Sequence, residues 1–211
     1  MRLLFHITGA ALALMVGALP AAAQSGPGAR LAEAALARTA HRVSYDPAYV
    51  VLAYPMGDVA ADRGVCSDVI IRAYRALGID LQVKVHEDMR RAFSAYPRRW
   101  GLKRPDRNID HRRVPNLRVF FSRHGRSLGP GSNPADYRPG DLITWDLKGS
   151  AASSLTHTRL PHIGIVTARR SADGKRPLIV HNIGNGPQLE DMMLDFKITG
   201  HYRYFGHGSG Q

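Results

Sequence analysis

The order of hydrophobic patterns along the chain is the feature that most constrains its fold. In the first half, apolar residues recur at helical spacing, most clearly from 66 to 77, before Gly78. In the second half, short apolar runs follow turn residues, as expected of strands. This order predicts an α+β domain in which helices pack on an antiparallel sheet. The predicted helices are 29–41, 66–77, 85–95 and 114–124, and the predicted strands are 142–145, 162–166, 177–183 and 197–205.

The N-terminal 23 residues have the pattern of a secretory signal peptide. Arg2 precedes a mostly apolar stretch from 3 to 19, and Ala21 to Ala23 provides the small residues of a cleavage site. An uncleaved membrane anchor is the alternative, but the stretch is short for a span. We expect an exported protein, periplasmic or secreted, with no stable membrane insertion after cleavage.

The remaining residues fit one domain of ordinary size. We expect a helical lead-in over 24–44, a main domain over 45–205 and a disordered tail over 206–211. Because the chain has a single cysteine, it cannot form an internal disulfide. Its stability must therefore come from the packed core.

The net charge of +12 is concentrated in one segment. From Arg90 to Arg126 the chain carries twelve Lys/Arg and two acidic residues, a local charge of +10. The segment is either a solvated face or a dock for an anionic partner, such as cell-wall carboxylates or lipid phosphates. Aromatic residues among the arginines occur in nucleic-acid binders, but an exported protein rarely meets nucleic acid. We expect peptidoglycan or another anionic cell-envelope component as partner, and no nucleic acid.

The single cysteine, Cys66, stands where a helix is predicted to begin. The positive end of the helix dipole at that position stabilises a thiolate. A buried and inert cysteine is the alternative reading of the same position. A nucleophilic cysteine requires a base, usually histidine, and a third group that orients the imidazole.

Two histidines occupy strands that can supply these partners. His162 begins one predicted strand and His181 lies in the next. Because side chains alternate along a strand, only one of His181 and Asn182 can face His162. Gly164 leaves space through which the end of the helix carrying Cys66 could approach.

A metal site is the chemical alternative, with His157, His162 and His181 as ligands. The offset of five between His157 and His162 places them on opposite faces of a strand. Neither a cysteine pair nor a His-Glu-x-x-His motif accompanies them. We therefore expect no metal and no cofactor.

Several motifs resemble those of known exported proteins. The chain resembles a bacterial family known as domain of unknown function 1287, and more distantly the NlpC/p60 group of papain-like cysteine peptidases. The resemblance to the first runs through residues 63–66, 86–89, 108–112, 160–164 and 180–184. The resemblance to the second is carried by Cys66-Ser67, Pro139-Gly140-Asp141-Leu142 and His162-Ile163-Gly164-Ile165-Val166.

The resemblance implies a papain-like fold and an amide-cleaving thiol enzyme. It implies Cys66 as nucleophile, His162 as base and His181 as the orienting group. Tyr54, which lies twelve residues before Cys66 as does an active-site tyrosine of the NlpC/p60 group, would line the oxyanion and substrate site together with Ser67 and Asn182. The implied substrate is a peptidoglycan stem peptide or a related envelope component.

Two departures from the NlpC/p60 pattern surround the cysteine. Val65 replaces an aspartate, and Asp68 replaces a glycine. A carboxylate at Asp68 suits the helix dipole but opposes a neighbouring thiolate.

A polar cluster in the basic segment has two readings. His111, Arg112 and Arg113 could bind a substrate carboxylate, to which arginine is suited. Alternatively, the cluster anchors the preceding loop through salt bridges. At the level of the whole protein, the alternatives to a hydrolase are a non-catalytic glycopeptide-binding module and a thiol acyltransferase.

Overall fold

The computed structural model describes residues 26–147 and 160–206. It confirms an α+β domain of helices packed on an antiparallel sheet. The predicted signal peptide, His157 and most of the predicted tail lie outside the described residues. The helices are α1 (Pro27–Ala37), α2 (Cys66–Ala76), α3 (Leu81–Arg91) and α4 (Val114–His124). The strands are β1 (Ser44–Tyr45), β2 (Arg63–Gly64), β3 (Arg126–Ser127), β4 (Leu142–Asp146), β5 (Pro161–Arg170), β6 (Pro177–His181), β7 (Gln188–Glu190) and β8 (Lys197–Arg203).

The main sheet has six strands in the order β3-β8-β4-β5-β6-β7, and every neighbouring pair is antiparallel. The register of β4 and β5 places Trp145 opposite His162. A separate short ladder pairs β1 with β2 in parallel and places Tyr45 beside Gly64. This ladder brings the chain around residue 45 next to the start of α2.

The two faces of the sheet carry separate hydrophobic clusters. The helix-side core contains Cys66 and Ile70 of α2 together with Ile163 and Ile165 of β5. The far-side core contains Trp145 and its neighbours, among them Ile143, Val166, Ile179 and Met193. Residues that alternate along β5 therefore belong to opposite faces, as the pleat requires.

Helix α1 belongs to the same packing unit as the rest. Leu31 and Ala35 are fully buried in the helix-side core. The segment that we expected to be a lead-in therefore contributes core contacts to α2 and β5. Within the described residues no helix is long and apolar enough to cross a membrane.

The prediction for the second helix was wrong at its start. Helix α3 begins at Leu81, four residues before the predicted position, because Asp80 caps it. The Asp80 carboxylate accepts hydrogen bonds from the backbone N–H groups of Gln82 and Val83, at 2.9 and 3.4 Å. Such a cap satisfies donors that the first helical turn leaves free. The helices predicted at 66 and 114 begin where the sequence pattern placed them.

Gly164 packs differently from our expectation. A Cβ at this position would lie 2.6 Å from Cγ2 of Ile179 and 3.3 Å from Cβ of His181. The absence of a side chain at Gly164 therefore allows the side chains of β6 to pack there, on the far side of the sheet. The atoms nearest to this position belong to β6 and not, as we expected, to the start of α2.

We predict that Gly164→Ala lowers the free energy of unfolding by about 1–3 kcal/mol, because the added methyl group overlaps Ile179. Chemical denaturation monitored by circular dichroism measures this change. Gly131→Ala is the matched control, since the nearest atom to its added Cβ is 4.0 Å away. Equal stability of the two variants would contradict the packing described for Gly164.

Candidate active site

Cys66 is the first residue of α2 and only 5% of its surface is exposed. Its sulfur accepts hydrogen bonds from the backbone N–H groups of Ile163, Ser67 and Cys66 itself. The thiol therefore lies at the N-terminus of α2 and against β5, one residue along the strand from His162. The helix start is the position that the sequence predicted.

The pKa of the Cys66 thiol is raised, whereas the helix dipole alone would stabilise the thiolate and lower it. Burial, the largest effect, raises the pKa of Cys66 to about 12, and the charge of Asp68 acts in the same direction. The backbone N–H groups lower the pKa but do not offset burial. In this arrangement the sulfur is a protonated thiol at neutral pH.

Tyr45, rather than Tyr54, is the tyrosine beside the cysteine. Burial, the charges of Cys66 and Asp68 and a hydrogen bond with Cys66 raise the pKa of Tyr45 to about 12. The phenol thus keeps its proton and can donate it in a hydrogen bond. The parallel ladder of β1 and β2 holds Tyr45 there.

Tyr54 lies elsewhere, so its predicted place in the oxyanion site was wrong. Its ring makes an edge contact with His86, with centroids 5.5 Å apart, and the Arg107 guanidinium lies 5.5 Å from its centroid. The spacing of twelve residues before Cys66 did not identify the tyrosine at the site. The intervening loop carries residue 54 toward α3, whereas strand pairing carries residue 45 toward α2.

A chain of hydrogen bonds links His162, His181 and Glu190, which we call the histidine relay. His162 Nε2 lies 3.0 Å from His181 Nδ1, and His181 Nε2 lies 2.7 Å from Glu190 Oε2. Because a carboxylate only accepts hydrogen bonds, His181 donates from Nε2. A neutral His181 then accepts at Nδ1 from His162 Nε2–H. The free lone pair of His162 is consequently on Nδ1, the nitrogen available to act as a base.

The pKa values of both histidines support neutral rings. Burial lowers the pKa of His162 to about 3, with a further contribution from His181. Burial also lowers the pKa of His181, and the Glu190 carboxylate acts against that effect. Both imidazoles are therefore uncharged at neutral pH, as the proposed tautomers require.

The expected contact between Cys66 and His162 is not formed within residues 26–147 and 160–206. No hydrogen bond joins the two side chains there, and the effects on each pKa do not include the other group. Alternation along β5 is the reason, since Ile163 faces Cys66 in the helix-side core. The His162 ring instead lies beside Trp145, with centroids 5.8 Å apart.

His181, not Asn182, makes the contact with His162. Asn182 points to the opposite side, where its Nδ2 donates to the Gly64 carbonyl at 3.4 Å and its Oδ1 accepts from Gly184 N–H at 3.1 Å. Its side chain is fully buried. Asn182 therefore holds β2 against the end of β6, and its amide is already used by these internal hydrogen bonds, which does not fit the predicted substrate-lining role.

The negative charge of Asp68, which replaces a glycine of the NlpC/p60 pattern, is compensated by Arg112. The Arg112 guanidinium donates two hydrogen bonds to the Asp68 carboxylate, from Nε and Nη2, each at 2.9 Å. Both side chains are almost fully buried. Arg112 also donates to the carbonyls of Ala48 and Asp46. Of the two roles that the sequence left open for Arg112, the structure therefore supports the internal salt bridge and not substrate binding, because its donors are already used.

Two further predicted substrate residues are also internal. Ser67 is fully buried and its hydroxyl donates to the Arg112 carbonyl at 2.7 Å. His111 is 2% exposed, and burial lowers its pKa to about 4. The Ser67 hydrogen bond fixes the short helical turn at 110–112 against α2. In this arrangement both side chains belong to the interior of the domain.

Arg112 and Arg113 both line a cleft, and Arg113 is the more exposed of the two. Arg113 pairs with Asp110 at 3.0 Å and lies over the Trp100 ring, 4.0 Å from the centroid. The cleft has a volume of about 350 Å³, and Trp100, Tyr49 and Val65 also line it. We call it the Trp100 cleft. Since Val65 directly precedes Cys66, this cleft leads to the start of α2.

Sequence reasoning missed Tyr45 and Glu190. The signal for Glu190 was its place in an alternating Gln188-Leu189-Glu190 segment after a turn, which pairs with β6 and sets Val180 against Leu189. Tyr45 had no local signal, because only pairing of residues 44–45 with 63–64 brings it to Cys66. Both positions depend on contacts between distant segments.

Comparison with known proteins assigns the family. Residues 32–204 match the family described as Domain of unknown function (DUF1287). The chain belongs to this family. Over 175 residues it is 50% identical to "Uncharacterized protein YijF" of Escherichia coli (strain K12), covering 83% of this chain and 80% of that protein.

A solved structure of the NlpC type also resembles this DUF1287 chain. The structure of NlpC1 from Trichomonas vaginalis matches 84% of the chain, with 17% identity and a TM-score of 0.46. The chain spans 44% of NlpC1, less than half of its length. NlpC1 belongs by its name to the NlpC type of protein that the sequence motifs resemble.

The described residues of this DUF1287 protein contain no group of three or more His, Cys, Asp or Glu side chains that could hold a metal ion. His157, one of the three histidines of the alternative metal site, lies outside those residues. The other two, His162 and His181, form a hydrogen bond with each other through their ring nitrogens.

We predict that His162 makes stability depend on acid pH. A histidine whose pKa is about 3 when folded and about 6.5 when unfolded favours the folded state above pH 6.5. That contribution is lost as the pH falls, because the unfolded chain then binds the proton. Between pH 7 and 4.5 we expect His162 to account for a loss of about 2 kcal/mol.

Urea unfolding at the two pH values measures this loss. In His162→Gln, whose amide can still donate to His181, the loss should be smaller by that amount. An identical loss in wild type and variant would contradict a neutral, buried His162.

Proposed function

We propose that this protein is a thiol hydrolase that cleaves an amide bond in a peptidoglycan stem peptide or a related cell-envelope substrate. The observation that carries the proposal is the histidine relay. It presents an imidazole base with a defined tautomer one residue from Ile163, whose N–H contacts the Cys66 sulfur.

The proposed reaction begins with transfer of the Cys66 thiol proton to His162 Nδ1. The sulfur attacks the carbonyl carbon of the scissile amide, forming a carbon–sulfur bond and an oxyanion. His162 then gives the proton to the amide nitrogen, and the carbon–nitrogen bond breaks. Water hydrolyses the resulting thioester, with His162 accepting one of its protons and returning it to the sulfur.

The proposed reaction requires the His162 ring and the thiol to come into contact. While they are apart, a thiol with a pKa of about 12 does not give its proton to an imidazole with a pKa of about 3. Contact would move both values toward each other, because each charged form stabilises the other. Catalytic hydrogen bonds are often long in the absence of substrate and tighten when it binds.

The oxyanion would be stabilised at the start of α2. The backbone N–H of Cys66 and the Tyr45 hydroxyl are the donors that lie beside the sulfur. Tyr45 takes the role that the sequence assigned to Tyr54. Donors placed in advance at a low-dielectric site stabilise developing negative charge without reorganisation.

The cellular setting belongs to the same proposal. The signal-like pattern of the first 23 residues supports export to the periplasm or outside the cell. The positive charge of the segment from Arg90 to Arg126 supports an anionic envelope partner. A thiol acyltransferase on the same site would use the first half of the reaction and replace water by another acceptor.

We predict that Cys66→Ala abolishes cleavage of purified peptidoglycan fragments, with turnover at least about 10⁴-fold lower because the nucleophile is absent. His162→Gln should lower turnover by about 10²–10⁴-fold, since a general base is lost. Mass spectrometry of the products measures both. His41→Gln, which changes an exposed histidine that the proposed reaction does not use, should retain wild-type turnover.

Circular dichroism shows whether each variant remains folded. Cleavage by folded Cys66→Ala at the wild-type rate would rule out the thiol mechanism.

A non-catalytic binding module for cell-wall glycopeptide is the second candidate. The observation that favours it is the burial of Cys66, which keeps the sulfur protonated. Such a module would preserve the fold and use the basic segment for affinity.

The pH dependence of iodoacetamide labelling separates the two candidates. For the hydrolase we predict a labelling inflection below about pH 8.5, the value of a free thiol, because contact with His162 stabilises the thiolate. His162→Gln should shift the inflection upward. An inflection near pH 12, unchanged in His162→Gln, would favour the binding module.

A further inference from the structure

A large cleft with a net positive charge lies beside the Trp100 cleft. Its volume is about 630 Å³, and three arginines, Arg90, Arg104 and Arg107, line it together with His86. We call it the basic cleft. Tyr49 lines both clefts, so the two adjoin at that residue.

The arginines of the basic segment fall into two groups. Several are used for internal structure, where they bind carboxylates or carbonyls of the fold. These are Arg112 with Asp68, Arg113 with Asp110, Arg123 with Asp88, and Arg118 with the carbonyl of Thr199.

The arginines of the basic cleft form the second group. Arg90, Arg104 and Arg107 make no ion pair with any described residue, although all three are exposed within one cleft. Arg107 contacts the Tyr54 ring instead. The positive charge of the cleft is therefore left for a partner outside the chain.

Other groups at the basic cleft fit this view. Nδ1 of His86 is buried and has no hydrogen-bond partner among the described residues. Burial, the largest effect, lowers the pKa of His86; the charges of Arg90 and Arg107 act in the same direction, and those of Asp110 and Asp106 oppose them. The one acidic residue of the lining, Asp106, is engaged by the Tyr49 hydroxyl at 3.1 Å and by Asn108 N–H at 2.9 Å.

We propose that the basic cleft binds a free carboxylate of the peptide substrate, at a distance from the bond that is cleaved. The inference rests on the proposed function, because the Trp100 cleft would lead the same peptide from the basic cleft to Cys66. Arginine presents a planar set of donors that matches a carboxylate. Such a site selects peptides with an uncapped acidic group, and it makes binding sensitive to salt.

The test measures binding in the Cys66→Ala protein, so that no cleavage occurs. The probes are a disaccharide-tetrapeptide fragment of peptidoglycan and the same fragment with its carboxylates converted to amides. Isothermal titration calorimetry at low salt gives the dissociation constants. We expect the free-carboxylate fragment to bind at least about tenfold more tightly than the amidated fragment.

Charge variants locate the binding site. The double change Arg90→Gln with Arg104→Gln should weaken binding of the free-carboxylate fragment by about 10–30-fold. Arg169→Gln with Arg170→Gln is the matched control, since it removes two exposed arginines at the end of β5. The control should change binding less than twofold.

Three outcomes would overturn the proposal. Equal affinity for the two fragments would exclude carboxylate recognition. Equal weakening by both double variants would reduce the effect to overall charge. Competition by inorganic phosphate, with affinity for the amidated fragment intact, would assign the cleft to phosphate.

The test is separate from that of the proposed function. If Cys66→Ala still cleaves peptidoglycan fragments, the thiol mechanism fails. The binding comparison can then be repeated with wild-type and variant proteins on a fragment that already lacks the scissile bond, and its result stands by itself. If the wild-type protein cleaves the fragments but neither amidation nor the Arg90 and Arg104 changes weaken binding, the thiol mechanism is retained. Carboxylate binding by the basic cleft is then rejected.

Discussion

The buried ion pair between Asp68 and Arg112 is the interaction on which the candidate site depends. The Asp68 carboxylate also accepts from Val65 N–H at 2.7 Å, so the same group caps α2 and binds the arginine. Arg112 in turn holds the carbonyls of Ala48 and Asp46, close to β1. Loss of either partner would leave an uncompensated buried charge, which typically costs about 3–5 kcal/mol. Through this pair, the start of α2 and the strand carrying Tyr45 are placed together.

The pair also explains how an acidic residue can follow a candidate nucleophile by two positions. The Asp68 charge still raises the pKa of the Cys66 thiol, but burial has the larger effect. The thiol and the histidine relay are each well defined and are both buried. The proposed hydrolysis therefore depends on bringing the thiol and the His162 ring into contact, and the alternation of side chains along β5 keeps them apart. In the proposed reaction the His162 ring would leave Trp145 and approach the Cys66 sulfur.

The elements that local patterns determine were predictable from the sequence. Helical periodicity and Gly78 located α2, and apolar runs after turns located β4, β5, β6 and β8. The start of α3 was misplaced because Asp80 was not recognised as a cap. Among the site residues, the position of Cys66 at a helix start follows from local pattern. Strand alternation limited the partner of His162 to His181 or Asn182, and the structure selects His181. The sequence left two roles open for Arg112, because its partner, Asp68, is distant in the chain.

The sequence by itself determined the class of fold, the position of the thiol and the family, because helix starts, strand periods and motifs are local properties of a chain. Only the tertiary structure decided which side chains meet. It placed Tyr45 beside Cys66, Glu190 behind His181 and Arg112 on Asp68. Among the described residues it left Arg90, Arg104 and Arg107 without an ion pair. These outcomes depend on strand pairing and burial between segments far apart in the chain. Local spacing, such as that of Tyr54 to Cys66, carries no information about such contacts.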